Sequence, residues 1–101
     1  MFKSKGILKF KSKYSKGPMH YIMYNGNIYS VTTGSSRKIK SLKEEGTLEI
    51  APHLLSRKWA PIKIEIIDDY QFVKEVFDYM ITNKHSYHKS INEDFVALKY
   101  T

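Results

Sequence analysis

The sequence predicts a mainly β protein with two helices, an α+β fold whose strands close or nearly close into a small barrel. Three observations predict it: six short runs typical of strands, two segments with helical spacing of apolar residues, and links short enough for antiparallel pairing. Closure removes the exposed edges that six short strands would otherwise present. Because the chain has 101 residues, we expect residues 1–101 to form a single domain.

The first three predicted strands include a hairpin. Leu8 to Tyr14 alternates apolar residues with lysines, the pattern of a half-buried strand. Met19 to Tyr24 and Asn27 to Thr33 are strand-like runs joined by Asn25-Gly26, a pair that tolerates the positive φ of a type I′ turn. These last two strands are therefore predicted to form a β-hairpin.

A helical period interrupts the strands twice. Ser35 or Ser36 can cap a short helix that ends at Gly46, and Asp69 can cap a longer amphipathic helix that ends near Asn83. The longer helix is expected to bury one stripe of apolar side chains: Phe72, Val73, Val76, Phe77, Met80 and Ile81. The remaining predicted strands are Thr47 to Ala51, Ala60 to Ile67 with its isoleucines inward, and Phe95 to Tyr100.

Composition excludes several classes of protein. An aromatic share of 14% is too high for a disordered segment, and the absence of cysteine excludes disulfide scaffolds, zinc fingers and thiol nucleophiles. No apolar run approaches the roughly 20 residues of a membrane span, and no secretory signal is recognised. We therefore expect a cytoplasmic protein that does not enter the membrane.

The net charge of +7 is the strongest feature of the composition, and six lysines lie in the first sixteen residues. Such an excess attracts nucleic acid, acidic lipid or anionic small molecules, and a solvated lysine face is the plainer interpretation. Four histidines, His20, His53, His85 and His88, are interpreted as surface residues, and no metal site is predicted.

The segment Thr32-Thr33-Gly34-Ser35-Ser36-Arg37-Lys38 ends a strand, turns at glycine and opens a helix. Helix N-terminal amides, hydroxyl groups, a guanidinium and an ammonium meet there, and each is a good partner for phosphate. The alternative is a capped helix with two solvent-facing cations. The segment is not a P-loop, because the glycine spacing and the Gly-Lys-Ser/Thr ending are absent.

This turn, followed by Ile39-Lys40-Ser41-Leu42 and by a strand reading Leu48-Glu49-Ile50-Ala51-Pro52, resembles the pyridoxamine 5′-phosphate oxidase-like, FMN-binding split-barrel superfamily. The resemblance spans roughly residues 7–83 and implies a six-stranded antiparallel split β-barrel of Greek-key type. It also implies a homodimer that binds FMN, with F420 as the alternative cofactor, at the subunit interface.

Carried over residue by residue, the resemblance implies roles for one short segment. Arg37 and Lys38 would bind the cofactor phosphate, with hydroxyl contacts from Ser36 and Ser35. Thr32 and Thr33 would approach the ribityl chain or the ring. Trp59 or the Leu54 to Lys58 loop of the other chain would complete the site. No catalytic side chain is assigned.

Two departures limit what the resemblance implies. Glu45-Gly46 stands where Asn-Pro is frequent in the family, and the Arg-x-His segment that binds substrate in pyridoxamine phosphate oxidases is not found. We therefore expect an FMN-dependent oxidoreductase acting on a small molecule other than pyridoxamine phosphate. The alternatives are a split-barrel relative that has lost its cofactor, and a basic barrel that binds nucleic acid through N-terminal lysines and the tyrosines Tyr14, Tyr21, Tyr24 and Tyr29.

Overall fold

The computed structural model describes residues 3–53, 55–86 and 88–101. It contains six strands and two helices in the order that the sequence predicts. The elements are β1 (Lys5–Lys11), β2 (Lys16–Tyr24), β3 (Asn27–Thr33), α1 (Arg37–Glu45), β4 (Thr47–Ala51), β5 (Ala60–Ile67), α2 (Tyr70–Thr82) and β6 (Phe95–Tyr100).

The six strands form a closed barrel in the order β1-β2-β3-β6-β5-β4, with β4 pairing back onto β1. Every neighbouring pair is antiparallel. Because β4 lies beside β1 while β1, β2 and β3 are consecutive neighbours, the arrangement is a Greek key. The predicted six-stranded antiparallel barrel of Greek-key type is confirmed.

The predicted hairpin is confirmed at its turn. Asn25 and Gly26 have φ values of 51° and 82°, the positive values that a type I′ turn requires at both central positions. The first strand was predicted to run to Tyr14, and this was wrong, because β1 ends at Lys11. The Ser12 hydroxyl accepts hydrogen bonds from the amides of Tyr14 and Ser15 at 3.3 and 3.0 Å, which turns the chain there.

Two apolar clusters lie on opposite sides of the barrel wall. The interior cluster includes Leu8, Phe10, Met19, Tyr21, Ile28, Leu48, Ile50, Ile64, Val96, Leu98 and Tyr100, and α1 adds Ile39 and Leu42. The outer cluster is made by α2 against β2, β3 and β6, through Val73, Val76 and Met80 on the helix and Ile22, Tyr29, Val31, Phe95 and Ala97 on the strands. Strands β3 and β6 are therefore covered on both faces.

The outer cluster corrects part of the predicted helix stripe. Asp69 caps α2 as predicted, since its carboxylate accepts a hydrogen bond from the Gln71 amide at 3.2 Å. Ile81, however, is 45% exposed. It follows the buried Met80 and is turned about 100° away from it around the helix, at the edge of the face that packs on the sheet. Neither α1 nor α2, the helices of the described ranges, has the length and apolar composition needed to cross a membrane.

Candidate functional site

A cleft of about 590 Å³ lies beside the N-terminus of α1. Its walls come from six parts of the chain: Ile7 and Phe10 of β1, the first half of β2, the end of β3, the start of α1, Met80 of α2, and the connection between α2 and β6. This volume falls within the range of about 300–1,000 Å³ that is typical of small-molecule sites. The cleft is therefore large enough for a cofactor or a substrate.

Ser36 opens α1 without capping it. Its backbone is extended, with φ −68° and ψ 156°, and its carbonyl oxygen accepts hydrogen bonds from the amides of Ile39 and Lys40 at 3.1 and 3.3 Å. Its side chain makes no capping bond, and its buried Oγ has no hydrogen-bond partner in the part of the chain that the structure describes. Such a hydroxyl costs roughly 1–3 kcal/mol unless a ligand satisfies it.

Lys38 brings an ammonium group to the same cleft. Its Nζ lies 5.0 Å from the centroid of the Phe10 ring, and burial lowers the pKa of this amine. Among the described residues, no ion pair within 4.0 Å includes Lys38. A partly buried cation without a carboxylate is costly, and a bound anion would offset that cost.

The other predicted site residues separate into two groups. Thr32 and Thr33 line the cleft together with Ser36 and Lys38. Ser35 and Arg37 are exposed and are not among the residues that line it. The Ser35 hydroxyl instead donates to the Asp94 carboxylate at 3.2 Å.

A close contact fixes the turn before α1. The Gly34 amide donates to the Asp94 carbonyl oxygen at 2.6 Å. A Cβ at position 34 would lie 2.7 Å from that oxygen, closer than a side chain tolerates. Glycine is therefore required at position 34, where the end of β3 meets the chain that precedes β6.

Two histidines that the sequence analysis treated as surface residues line the cleft. His20 on β2 and His88 after α2 are both half-buried. Burial lowers the pKa of His20, and the nearby charges of His85 and His88 lower it further. Burial and the Lys38 charge lower the pKa of His88. The alternation of β2 places His20 on the outer face of the barrel. The two histidines near it, His85 and His88, lie more than sixty residues away in sequence, so the sequence did not indicate that they come together.

His85 holds the α2 to β6 connection against the barrel. Its Nε2 lies 2.8 Å from the Gly6 carbonyl oxygen, and its ring centroid lies 4.8 Å from that of His20. In the described ranges, no group of three His, Cys, Asp or Glu side chains is arranged to hold a metal ion.

The charge of the cleft is positive. Lys16 and Lys38 line it, and no Asp or Glu is among its lining residues in the described ranges. The α1 N-terminus adds backbone amides and the positive end of the helix dipole. The arrangement can bind an anion such as a phosphate, with the Ser36 hydroxyl as a further donor.

Comparison of the sequence with protein-family models and with curated proteins gives no match. Comparison with solved structures gives several. A NimC/NimA family protein from Clostridium acetobutylicum has a TM-score of 0.68 and 16% identity, over 95% of this chain and 71% of its own. A candidate pyridoxamine 5′-phosphate oxidase from Listeria innocua has a TM-score of 0.63 and 10% identity, over 98% and 83%. A FAD-binding protein from Mesorhizobium loti has a TM-score of 0.58 and 12% identity, over 97% and 80%.

These likenesses are likenesses of fold. They confirm the predicted split-barrel fold, which this chain shares with a candidate pyridoxamine 5′-phosphate oxidase and a FAD-binding protein. At identities of 10–16%, a shared fold does not fix the ligand or the reaction. The ligand and the reaction depend instead on the residues that line the cleft.

Proposed function

We propose that this chain binds a flavin, FMN rather than F420, and is an FMN-dependent oxidoreductase for a small molecule. One observation carries the proposal: Ser36 and Lys38 both line a cleft at a helix N-terminus. Among the described residues, the Ser36 hydroxyl has no hydrogen-bond partner and the Lys38 ammonium has no carboxylate within 4.0 Å. A phosphate monoester would satisfy both groups. The FAD-binding neighbour with the same fold supports a flavin.

The residues of the cleft fit such a cofactor at both ends. Ser36, Lys38 and the first amides of α1 would hold the phosphate, with Arg37 at the rim. Thr32 and Thr33 would lie beside the remainder of the cofactor, against the apolar side chains of Ile7, Val31 and Met80. The flavin itself supplies the electron-transfer chemistry when it is bound, while the protein positions it and excludes water.

FMN is preferred to F420 because of where the unpartnered groups lie. They form one compact set at the start of α1, which suits a terminal phosphate with its full charge at the end of the molecule. The phosphate of F420 is an internal diester and carries less charge. F420 remains the second candidate, since it offers the same combination of phosphate and planar ring to Ser36 and Lys38.

We also propose that the active form is a homodimer. Leu55 is 89% exposed. It lies in the Leu54 to Lys58 loop, which the resemblance assigns to the site of the other chain. Leu54 itself falls outside the described residues. Trp59 does not line the cleft of its own chain and its ring packs against Lys9 and Lys11, so we assign the contribution to the partner's site to the loop and not to Trp59. The mass in solution tests this, and Leu55→Asp should shift a dimer toward monomer.

The binding proposal is tested by titrating FMN into the purified protein and following flavin fluorescence. Arg37→Ala with Lys38→Ala should abolish binding, because the double variant removes both cations from the phosphate end. Lys43→Ala with Lys74→Ala removes the same charge from exposed positions on α1 and α2 and should bind FMN like the parent protein.

Thermal unfolding of both double variants checks that each is folded. Unchanged FMN affinity in a folded Arg37→Ala/Lys38→Ala variant would overturn the site. Equal losses in the two double variants would show that only net charge matters. Absence of FMN binding by the parent protein, alongside F420 binding, would replace the cofactor and keep the site.

A further inference from the structure

Charge is distributed unevenly along this chain. The first 43 residues carry ten lysines and arginines and no aspartate or glutamate, whereas residues 65–94 carry seven acidic residues and three lysines. The first segment forms β1, β2, β3 and most of α1, and the second contains α2. One part of the surface is thus far more basic than the net charge alone indicates.

Six of these lysines form a continuous strip, here called the basic band: Lys9, Lys11, Lys13, Lys16, Lys38 and Lys40. Lys11 and Lys16 are direct cross-strand neighbours in the β1–β2 ladder. Lys16 and Lys38 line the same cleft. The Nζ atoms of Lys13 and Lys40 both lie over the Tyr14 ring, at 5.5 and 4.7 Å from its centroid.

A tryptophan lies within the basic band. The Nζ atoms of Lys9 and Lys11 are 5.3 and 4.6 Å from the centroid of the Trp59 ring. Trp59 and Tyr14 are both half-buried, so each aromatic ring is presented at the surface beside two lysines. Alternation of cations with surface aromatics is the pattern that proteins use to bind single-stranded nucleic acid.

Little negative charge opposes the band. Glu49 lies 3.9 Å from Lys11, and Glu44 lies 3.9 Å from Lys13. Lys9, Lys16, Lys38 and Lys40 have no carboxylate within 4.0 Å among the described residues. Like charges directly opposite each other across two strands destabilise the pair, so the Lys11–Lys16 arrangement costs the folded protein stability that a polyanionic partner would return.

We propose that the basic band binds single-stranded nucleic acid, with its lysines other than Lys38 on phosphates and with Trp59 and Tyr14 against bases. A second copy of the chain is a poor occupant, because a two-fold contact places the same patch on itself and would bring two sets of lysines together. This proposal keeps the N-terminal lysines and Tyr14 of the nucleic-acid-binding alternative drawn from the sequence, and it replaces the other three tyrosines with Trp59. Tyr21 and Tyr29 are buried, and Tyr24 packs against Tyr79 of α2 with ring centroids 5.1 Å apart, so these three are not part of the basic band.

Trp59 is the only tryptophan of the sequence, so its fluorescence reports on this surface alone. Titration with oligothymidylate of about 15 nucleotides, within the site sizes of about 4–16 nucleotides known for small barrels, should quench that fluorescence. Affinity should fall as salt is raised. Lys9→Ala with Lys11→Ala should reduce the slope of log K against log salt by about 1.4, or about 0.7 for each phosphate that the variant no longer neutralises.

The matched control is Lys63→Ala with Lys74→Ala, which removes two exposed lysines from β5 and α2. It should leave the slope unchanged. Lys9→Arg with Lys11→Arg, which keeps the charge and guards against a variant that fails to fold, should bind like the parent protein.

Three results would overturn the proposal. The first is no salt-sensitive binding, and the second is an equal loss in the control pair. The third is equal quenching by polyglutamate of similar charge, which would show that the bases contribute nothing. The proposal does not rest on flavin binding, because Lys9 and Lys11 are not among the residues that line the cleft.

Discussion

The two helices of this protein both begin at an extended N-cap residue, but only one of these residues caps its helix with its side chain. Asp69 and Ser36 are both extended, with φ values of −66° and −68°. The Asp69 carboxylate accepts a hydrogen bond from the Gln71 amide, whereas the Ser36 hydroxyl makes no such bond and is buried without a partner among the described residues. The N-terminus of α2 is therefore capped by the Asp69 side chain, whereas the first amides of α1 receive no side-chain cap and are available to a ligand.

The difference extends to the neighbouring charges. No basic residue lies in the first turn of α2, where the Asp69 carboxylate already accepts from a backbone amide. In contrast, α1 begins with Arg37 and Lys38. An N-cap bond stabilises a helix by about 1 kcal/mol, and α1 forgoes it although serine is among the best capping residues. A serine at an extended N-cap position whose hydroxyl is left unused beside a cleft therefore indicates a ligand site more strongly than the sequence motif alone.

The largest expected effect comes from Lys38→Met. Removing the ammonium should weaken FMN binding about 10- to 100-fold, since a charge-assisted hydrogen bond contributes about 1.5–3 kcal/mol. The free energy of unfolding without ligand should not fall, because the variant removes a partly buried cation that forms no ion pair with any residue the structure describes. Arg37→Met is the matched control and should weaken binding less, since Arg37 is exposed outside the cleft. A larger effect from Arg37 would assign the phosphate to the rim.

The next effect should appear at the other helix and in stability alone. Asp69→Ala should lower the free energy of unfolding by about 1 kcal/mol through loss of the cap. Its FMN affinity should equal that of the parent protein, because α2 begins away from the cleft. Chemical denaturation and FMN titration measure the two quantities. A change in FMN affinity would show that the helix termini are not independent.

Ser36→Ala should have the opposite pattern to Asp69→Ala. It deletes a buried hydroxyl that has no partner in the described ranges, so stability without ligand should be unchanged or higher. FMN should bind about 2- to 10-fold more weakly, the loss expected for one hydrogen bond of about 0.5–1.5 kcal/mol. Thermal unfolding with and without FMN measures both. A clear loss of stability without FMN would mean that Ser36 does cap α1 in solution.

The smallest effect is a pH dependence of stability. Folding lowers the pKa of His20 and of His88 from the ordinary value of 6.5, chiefly through burial. The unfolded chain therefore binds more protons than the folded protein below about pH 6.5, and stability should fall as the pH is lowered through that region. His20→Gln with His88→Gln should flatten the decline between about pH 7.5 and 5.5, whereas replacing exposed His53 with Gln should not. A profile unchanged by the double variant would contradict this origin.

Local signals explain what could be predicted from the sequence. Asn25-Gly26 specifies its turn through positive φ, and Asp69 specifies the start of α2 through its capping bond. The end of β1 was predicted three residues too late, because apolar alternation through Tyr14 concealed the turn that Ser12 makes with its own hydroxyl. Closure of the barrel was expected because six short strands would otherwise leave exposed edges, but the pairing of β1 with β4 had no local signal, since it joins segments some forty residues apart.

The candidate site was predictable in type and less so in its members. The turn from Thr32 to Lys38 indicated an anion site, but not that Lys38 would enter the cleft while Arg37 stays outside. Neighbours on a helix point about 100° apart, and only the packing of Ile39 and Leu42 into the barrel decides which of the two faces inward. His20 and His88 could not be placed together from sequence, because their proximity depends on the connection between α2 and β6.

The most direct test of the α1 N-terminus as a phosphate site compares FMN with riboflavin, which has the same ring and ribityl chain and lacks the phosphate. FMN should bind the parent protein at least about tenfold more tightly, since the phosphate makes charge-assisted contacts of about 1.5–3 kcal/mol. In Lys38→Met the preference for FMN should shrink to roughly the 2- to 10-fold expected from the Ser36 hydroxyl. Equal binding of FMN and riboflavin by the parent protein, or an FMN preference that loss of Lys38 leaves undiminished, would contradict the assignment.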